Sequence, residues 1–409
     1  MAPTCAFNLQ TCARKNILQL IPYRCARDDY KDNGSNILLD ANENAYGPSL
    51  PFDGLDESEA GTGYDCTHLN RYPDPHQEGL KRLFCNHRNK NPTKPLTPAN
   101  LFLGVGSDEA IDAIIRCFCI PGKDKILICP PTYGMYSISA QVNDVQVVKE
   151  PLDLISGEFK LRPEAINKRL SGDPTIKLVY ICSPGNPTAG TVDPAAVRKV
   201  LAHPTWNGVI VVDEAYIDFA PEGSSLAPWV VDYPNLVVMQ TLSKAFGLAG
   251  IRLGAAFTAP EIAQLLNNLK APYSISSTTS SIAMAALSPT GLAVKKENMR
   301  RLLAQRDRLL SELPKLPGIG RFLGGFDSNF LLVEILDKDA VPDSAVAKRV
   351  YEELAEEHGV IVRYRGGEPG CTGCLRITVG TEAEVGKLLE KLREVLKAVW
   401  RERGGREGV

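Results

Sequence analysis

The chain has 409 residues and a formal net charge of −2, from 46 basic and 48 acidic residues. This balance argues against a dedicated nucleic-acid-binding protein and against a protein that binds anionic membrane surfaces. No apolar run approaches the roughly 18 residues of a membrane-spanning helix, and the N-terminal stretch lacks the apolar segment of a secretory signal. We therefore expect a globular cytoplasmic protein; the absence of acidic residues before Asp28 leaves mitochondrial targeting as the alternative.

The 11 cysteines are odd in number and scattered along a large chain, which argues against a disulfide scaffold. Cys371 and Cys374 form one C-x-x-C pair. A structural zinc site needs a second pair, or histidines at a matching spacing, and the sequence offers neither. We predict no metal site, with a metal or redox role for this pair as the minor alternative.

Short apolar runs rich in β-branched residues alternate with helical patterns through the middle of the chain. A helix with Ser107 as its N-cap is predicted after the first strand, and another helix over 193–202. The alternation is typical of βαβ units and a mainly parallel, buried sheet. The predicted strands are 101–106, 125–129, 144–148, 176–182, 208–213 and 235–241.

After about residue 290 the pattern changes to a long amphipathic segment over 292–313, short strands, and helices near 343–357 and 381–401. This mixture is typical of a smaller α+β unit. We expect an N-terminal arm over 1–36, a large domain over 37–289 and a small C-terminal domain over 290–409.

The segment TLSKAFGLAGIRLG (241–254) places Lys244 after Ser243 at the end of a predicted strand. A lysine in an apolar, glycine-rich turn loses part of its solvation, which lowers the pKa of its ammonium and suits Schiff-base chemistry. Ser243 and Arg252 could bind a phosphate. The alternative is an ordinary loop lysine on the surface.

Three other segments carry polar groups at strand ends. Asp213 ends an apolar strand, where an unpaired carboxylate is costly, so it faces a buried cation or merely caps a turn. Asn186 lies in a Pro- and Gly-rich turn after a strand; the alternative is that this turn is an ordinary loop without a binding role. In LGVGS, Ser107 places backbone N–H groups at a helix start, where an anion can bind, but Glu109 breaks the dinucleotide-binding fingerprint.

In this order, the four segments resemble the fold type I pyridoxal-phosphate (PLP) aminotransferases. The resemblance extends from about residue 14 to residue 400. It implies an α/β fold: a large domain with a mainly parallel seven-stranded sheet flanked by helices, and a smaller α+β C-terminal domain. Further segments resemble the histidinol-phosphate branch of that family: PYRCARDDY (22–30), LLDANENAYGPS (38–49), RYPDP (71–75), PPTYGMY (130–136) and CLRITVG (374–380).

The resemblance implies roles for residues that match the family's motifs. Lys244 matches the lysine that holds the cofactor as a Schiff base, and Asp213 matches the carboxylate that faces its pyridine nitrogen. Tyr216 and Asn186 match the pair that hydrogen-bonds the ring's 3-oxygen, and Tyr133 matches the aromatic residue stacked on the ring. The cofactor phosphate would be held by Ser107, Asp108, Ser243 and Arg252.

Other matches imply a shared site. Tyr72 matches a tyrosine that reaches the cofactor phosphate from the partner subunit, which implies a homodimer. The residues matching the substrate-binding positions are Tyr23, Asn44, Arg363 and Arg376; surface salt-bridging is the alternative for the two arginines. Two departures from the family pattern are Ala189, in place of a glycine after Asn-Pro-Thr, and the missing proline of Asn44–Gly47.

The implied reaction is amino transfer from L-histidinol phosphate to 2-oxoglutarate, which gives imidazole acetol phosphate and glutamate in histidine biosynthesis. Partners would then be small molecules rather than nucleic acid or membrane. An aromatic amino-acid aminotransferase on the same scaffold is the nearest alternative. A PLP-dependent phosphoamino-acid decarboxylase and a non-catalytic PLP-binding regulator are the others.

Overall fold

Two β-sheets organise the part of the chain that the computed structural model describes, which comprises residues 5–21, 69–89 and 93–404. The larger sheet contains seven strands and the smaller sheet four. The strands are β1 (Leu101–Val105), β2 (Lys125–Ile128), β3 (Gln146–Lys149), β4 (Ile176–Cys182), β5 (Val209–Asp213), β6 (Leu236–Thr241), β7 (Leu253–Thr258), β8 (Ile319–Leu323), β9 (Phe330–Ile335), β10 (Arg363–Tyr364) and β11 (Cys374–Thr378).

The α-helices of the described residues flank these sheets. They are α1 (Leu9–Cys12), α2 (Lys15–Leu18), α3 (Glu78–Arg88), α4 (Gly106–Phe118), α5 (Met135–Val142), α6 (Pro163–Gly172), α7 (Pro194–Leu201), α8 (Pro260–Leu269), α9 (Ser277–Leu287), α10 (Pro289–Glu312), α11 (Ser344–Glu356) and α12 (Glu382–Gly404). None of these helices combines the length and the apolar character needed to cross a membrane.

The large sheet has the strand order β1-β7-β6-β5-β4-β2-β3. Strands β3, β2, β4, β5 and β6 pair in parallel, whereas β7 is antiparallel to both β6 and β1. This confirms the predicted mainly parallel seven-stranded sheet. The central strands β5 and β6 are buried on both faces, which explains why they appear in the sequence as continuous apolar runs.

Strand β7 was not among the strands identified from the sequence pattern, because its Leu-Gly-Ala-Ala start has low strand propensity. The structure shows why these residues are small. A Cβ added to Gly254 would lie 2.4 Å from the carbonyl carbon of Gly106 and 2.4 Å from the nitrogen of Ser107. The strand therefore passes directly beneath the start of helix α4.

Helix α4 begins two residues earlier than predicted. Its first residue is Gly106, which has a φ of 73°, and its N-cap is Val105. Ser107 is therefore not the N-cap, and the Glu109 carboxylate instead accepts a hydrogen bond from the Val105 N–H. The side chain of Ser107 is left to face the groove above the sheet.

The smaller sheet is antiparallel, with the order β10-β11-β9-β8. Helices α11 and α12 pack on one of its faces and bury Val350 and Leu392 against Val333. The two helices predicted near 343–357 and 381–401 are confirmed as α11 and α12, and the amphipathic segment over 292–313 forms α10. We propose that the boundary between the two parts of the chain lies near residue 290, where α10 begins; the proposed boundary at residue 36 lies outside the described residues.

Candidate active site

A cavity of about 400 Å³ lies where the carboxyl ends of β4, β5 and β6 meet. In open α/β sheets this edge is where ligands bind. The cavity brings together eleven residues that the sequence analysis had singled out: Ser107, Asp108, Tyr133, Asn186, Asp213, Tyr216, Ser243, Lys244, Arg252, Arg363 and Arg376.

Lys244 lies three residues beyond the end of β6, on the wall of this cavity. Burial lowers the pKa of its ammonium, and the positive charge of Arg376 lowers it further. Its Nζ lies 5.5 Å from the centroid of the Tyr216 ring. A lysine with a lowered pKa spends more time as the neutral amine, which is the form that attacks a carbonyl carbon.

Asp213 ends β5 and its side chain is buried, with 3% of the residue exposed. Its Oδ2 accepts a 2.6 Å hydrogen bond from the Tyr136 hydroxyl, and its Oδ1 accepts one from the Ala215 N–H at 3.1 Å. Burial raises the pKa of this carboxyl, while the two donors oppose the shift.

Within the described parts of the chain, no Lys, Arg or His nitrogen lies within 4.0 Å of this carboxylate. A buried carboxylate without a cation is costly, so the site suits a ligand that brings a protonated nitrogen. The sequence analysis missed Tyr136, although it stands three residues after Tyr133 in a segment that had been recognised. Tyr136 is fully buried and stacks on Tyr180 at a centroid distance of 4.7 Å.

Asn186 and Tyr216 line the same wall as Arg376. Arg376 Nη1 donates a 2.6 Å hydrogen bond to Asn186 Oδ1, and its guanidinium lies 5.2 Å from the Phe330 ring centroid. Burial raises the pKa of Tyr216 to about 12, so its hydroxyl is neutral and can donate a hydrogen bond. Arg376 is half-buried and, among the described residues, forms no ion pair, which argues against surface salt-bridging.

A polar corner of the cavity lies at the first turn of α4. Ser107 and Asp108 stand there, and Arg252 Nη2 lies 3.4 Å from Asp108 Oδ2. The Tyr133 hydroxyl donates to Asp108 Oδ1 at 3.2 Å, which fixes the ring beside the cavity. Free N–H groups at a helix start together with a guanidinium suit a phosphate.

Ser243 also belongs to this corner, and it is held there by Thr241, a residue that the sequence analysis had not identified. The Thr241 hydroxyl lies 2.8 Å from the Ser243 hydroxyl and accepts the Ser243 N–H at 3.1 Å. The donor set of the cavity therefore fits pyridoxal phosphate. It offers an amine with a lowered pKa, a buried carboxylate with no cation within 4.0 Å among the described residues, and a helix start with a guanidinium that suits a phosphate.

A buried polar network lies behind the Tyr216 turn. Asp218 Oδ1 accepts hydrogen bonds from Arg88 at 3.0 Å and from Lys295 at 2.9 Å. Although burial alone would raise the pKa of Asp218, the charge of Arg88 and the bonds from His87 and Lys295 hold it well below its usual range. The network ties α3 and α10 to the short 3₁₀ turn Ile217–Phe219, which directly follows Tyr216.

The remaining predicted residues lie elsewhere. Tyr72 is 49% exposed, does not line the cavity of its own chain, and stacks on Tyr273 at a centroid distance of 4.6 Å. Tyr23 and Asn44 lie outside the described residues, as does the departure at 44–47. The sequence analysis missed Arg365, which lines the cavity beside Arg363.

Two sequence features outside the binding corner have structural consequences. Ala189 adopts a φ of 59°, in the left-handed region, so the residue that stands in place of a glycine is strained, and Gly190 does not adopt such a φ. Cys371 and Cys374 are fully buried and both are free. Among the described residues, no group of three or more His, Cys, Asp or Glu side chains is placed to hold a metal ion.

The fold and this donor set define a PLP-type enzyme, and comparisons identify the class. Residues 35–392 match the family model described as "Aminotransferase class I and II". The chain belongs to this aminotransferase family. The predicted family and fold class are therefore confirmed.

Relatives of this chain carry a more specific name. The chain is 50% identical over 395 residues to a histidinol-phosphate aminotransferase of Schizosaccharomyces pombe, covering 96% of this chain and 98% of the relative. It is 47% identical to the protein of that name from Saccharomyces cerevisiae, covering 95% and 98%. A crystal structure of the Sinorhizobium meliloti protein of that name with pyridoxal-5′-phosphate has the same fold, with a TM-score of 0.71, 24% identity, and coverage of 94% and 98%.

Proposed function

We propose that the chain transfers the amino group of L-histidinol phosphate to 2-oxoglutarate with PLP as cofactor, giving imidazole acetol phosphate and glutamate in histidine biosynthesis. The observation that carries this proposal is one cavity in which Lys244 and Asp213 face arginines from the small sheet. The 50% identity to the Schizosaccharomyces pombe histidinol-phosphate aminotransferase supports the choice of donor.

The cofactor would be held by residues at three places in the cavity. Lys244 would bind it covalently, and Asp213 would hold the proton on its ring nitrogen. Asn186 and Tyr216 would hydrogen-bond the ring's 3-oxygen, and Tyr133 would cover one ring face. The phosphate would be held by Ser107, Asp108, Ser243 and Arg252. When bound, PLP supplies a ring that accepts the electron pair left on the substrate carbon.

The chain's own residues carry the proton steps. With the substrate amine in place, Lys244 Nζ would act as the base, and burial lowers the pKa of its ammonium, which favours the neutral amine that this role requires. It then takes the proton from the substrate carbon that bears the amine, and returns it on the other side of the transferred nitrogen. The ionised form of Asp213 would pair with the protonated ring nitrogen, and the hydrogen bond from Tyr136 favours that form against burial, which raises the pKa of this carboxyl.

The substrate end of the site would be formed by Arg363 and Arg376, with Tyr23 and Asn44. Two guanidinium groups can hold the phosphate of the donor and the carboxylates of the keto acid in turn. An aromatic amino-acid donor is not favoured, because its ring would leave part of this cationic surface without an anion. A solved decarboxylase structure has the same fold as this chain at 16% sequence identity. An identity this low supports the shared fold alone and not the decarboxylase activity.

The test is glutamate formation from histidinol phosphate and 2-oxoglutarate by the purified holoenzyme. Lys244→Ala removes the amine that binds the cofactor, and we expect turnover to fall at least about 10⁴-fold. Lys296→Ala, an exposed lysine on α10, serves as the control and should retain wild-type turnover. Near-normal turnover of the Lys244 variant, or carbon dioxide release in place of glutamate, would contradict the proposal.

We further propose a homodimer with shared active sites. Tyr72 supports this: it is half-exposed and lies outside the cavity of its own chain. Mixing inactive Lys244→Ala and Tyr72→Ala chains tests it, because a mixed dimer would contain one intact site if Tyr72 acts across the interface. We expect ~25% of wild-type activity to return in a random mixture. No recovery, or a monomer in light scattering, would contradict the shared site.

For location we propose the cytoplasm. The nine described cysteines are all free, which suits a reducing compartment. Cell fractionation with antibodies against the chain tests this proposal, and recovery in the mitochondrial fraction would contradict it.

A further inference from the structure

Arg365, which directly follows strand β10, is a second arginine that lines the cavity beside Arg363. Side chains alternate between the two faces of a strand, so Arg363 and Arg365 lie on one face and Tyr364 points into the core of the small sheet. Arg363 pairs directly with Arg376 on β11, and the Arg365 N–H donates to the Cys374 carbonyl at 2.9 Å. Three arginines therefore converge on one wall of the cavity.

This wall carries more positive than negative charge. Arg252 is matched by Asp108, and Asp213 faces the place of the cofactor nitrogen. The three arginines of the wall have one paired carboxylate among the described residues, that of Glu368, whose Oε1 lies 2.6 Å from Arg365 Nη1. Two positive charges are left over, which matches a phosphate monoester dianion.

The wall also holds unused hydrogen-bond donors. Arg365 Nε and Arg376 Nε are both buried, and neither has a hydrogen-bond partner within the described residues. Buried N–H groups are nearly always paired in folded proteins. Because Arg365 and Arg376 both line the cavity, the oxygen atoms of a bound anion are the acceptors that we expect for these two guanidinium groups.

Glu368 holds Arg365 in a defined orientation. The Glu368 N–H donates to the Arg365 carbonyl at 3.0 Å, and its carboxylate binds Nη1, which closes a small turn after β10. Because Glu368 fixes Nη1 in this way, the guanidinium of Arg365 keeps one orientation. The Arg365 side chain is only 20% exposed, so little solvent competes for its guanidinium.

We propose that Arg365, oriented by Glu368, is a specificity-determining residue that binds the dianionic phosphate end of the amino donor. This inference rests on the proposed function. It assigns Arg365 no part in the proton steps, so its loss should weaken recognition of the phosphate and leave reaction of the amine intact.

The test compares two donors that differ only in the phosphate. Purified holoenzyme is mixed with L-histidinol phosphate or with L-histidinol, without keto acid, and the loss of the bound cofactor's absorbance band gives a second-order rate constant for each. The ratio of the two constants measures phosphate recognition. We expect Arg365→Gln to lower this ratio by about 10- to 100-fold, the range for losing a charge-assisted hydrogen bond, with the histidinol constant within about twofold of wild type.

Matched variants separate recognition from structure. Arg300→Gln removes an arginine that pairs with Glu297 at the same sequence spacing but outside the cavity, and it should leave the ratio unchanged. Arg365→Lys keeps the charge without the planar fork and should give an intermediate ratio. If Arg365→Gln fails to fold, the lysine variant provides the measurement.

The outcomes distinguish this inference from the function on which it rests. An unchanged ratio in both Arg365 variants, or equal losses with the two donors, would overturn the role of Arg365. A wild-type enzyme that reacts with neither donor, or prefers histidinol, would instead overturn the proposed function.

Discussion

Two opposing effects act on the pKa of the buried Asp213 carboxyl. Burial opposes its negative charge, yet Tyr136 and the Ala215 N–H each donate a hydrogen bond to it. Donors that bind the ionised form hold a carboxyl pKa down. The charge that the proposed mechanism needs on Asp213 therefore depends on a tyrosine that lies behind the cavity wall.

Tyr136→Phe tests this dependence. Loss of a hydrogen bond to a buried carboxylate should lower the free energy of unfolding by about 1.5–3 kcal/mol and weaken PLP binding, because Asp213 would more often be protonated. Urea unfolding and cofactor titration measure the two effects. Tyr180→Phe is the matched control, since Tyr180 is equally buried but donates to the Ile111 carbonyl. Equal PLP affinity in both variants would contradict the role of Tyr136.

Glu214, next to Asp213, is a second buried carboxyl. It faces the Ser225 hydroxyl, the Leu226 N–H and the Gln240 amide, with the Arg88 guanidinium behind Gln240. Burial raises its pKa to about 7 from 4.5. The folded protein therefore binds this proton more tightly than the unfolded chain does.

The sign of the resulting pH effect follows by linkage. The contribution of Glu214 to stability is fully present below about pH 4.5 and is lost as the pH rises through about 7. We expect the pH-dependent loss to be about 2–3 kcal/mol smaller in Glu214→Gln than in the wild type. Urea unfolding at pH 5 and pH 8 gives the comparison. Identical pH profiles for the two proteins would show that Glu214 does not titrate there.

At the scale of elements, the phosphate corner depends on how closely β7 approaches α4. Gly254 has no room for a Cβ, since the backbone of Gly106 and Ser107 lies 2.4 Å from its position. Gly250, four residues earlier, has nothing within 4 Å of the same position. Comparing substitutions at the two glycines therefore distinguishes the effect of tight packing at Gly254 from the effect of reduced backbone flexibility in the segment.

Gly254→Ala should push the start of α4 away from the sheet and disturb the corner formed with Arg252. We expect PLP affinity to fall at least ~10-fold and the free energy of unfolding to fall by about 1–3 kcal/mol. Gly250→Ala should change neither. Reconstitution of the apoenzyme with PLP and urea unfolding provide the measurements. Similar PLP affinity for both variants would argue against the close approach.

The sequence patterns predicted elements better than the contacts between them. Continuous apolar runs such as that of β5 identify buried parallel strands, because no polar face interrupts them. The sequence pattern did not reveal strand β7, because its small residues are required by packing against α4. That packing is a tertiary contact, which a local pattern does not show. The start of α4 also differs from the prediction: the helix begins at Gly106, and the Val105 N–H donates to the Glu109 carboxylate.

At the scale of the whole molecule, the cavity residues were assigned because their segments resemble the motifs of a known family, and the fold places eleven of them together. Residues whose role depends on long-range register could not be found in this way. Arg365 reaches the cavity because β10 pairs with β11. Asp218 meets Arg88 and Lys295 across separations of 130 and 77 residues, which no local pattern shows.

The reaction of the holoenzyme with L-histidinol phosphate alone, without keto acid, tests the account most directly. The absorbance band of bound PLP is followed after mixing, with phenylalanine as the parallel donor. We predict rapid loss of the band with histidinol phosphate and slow or no change with phenylalanine. Loss of the band with phenylalanine alone would keep the aminotransferase family but contradict the proposed donor, and with it the recognition role of the three arginines.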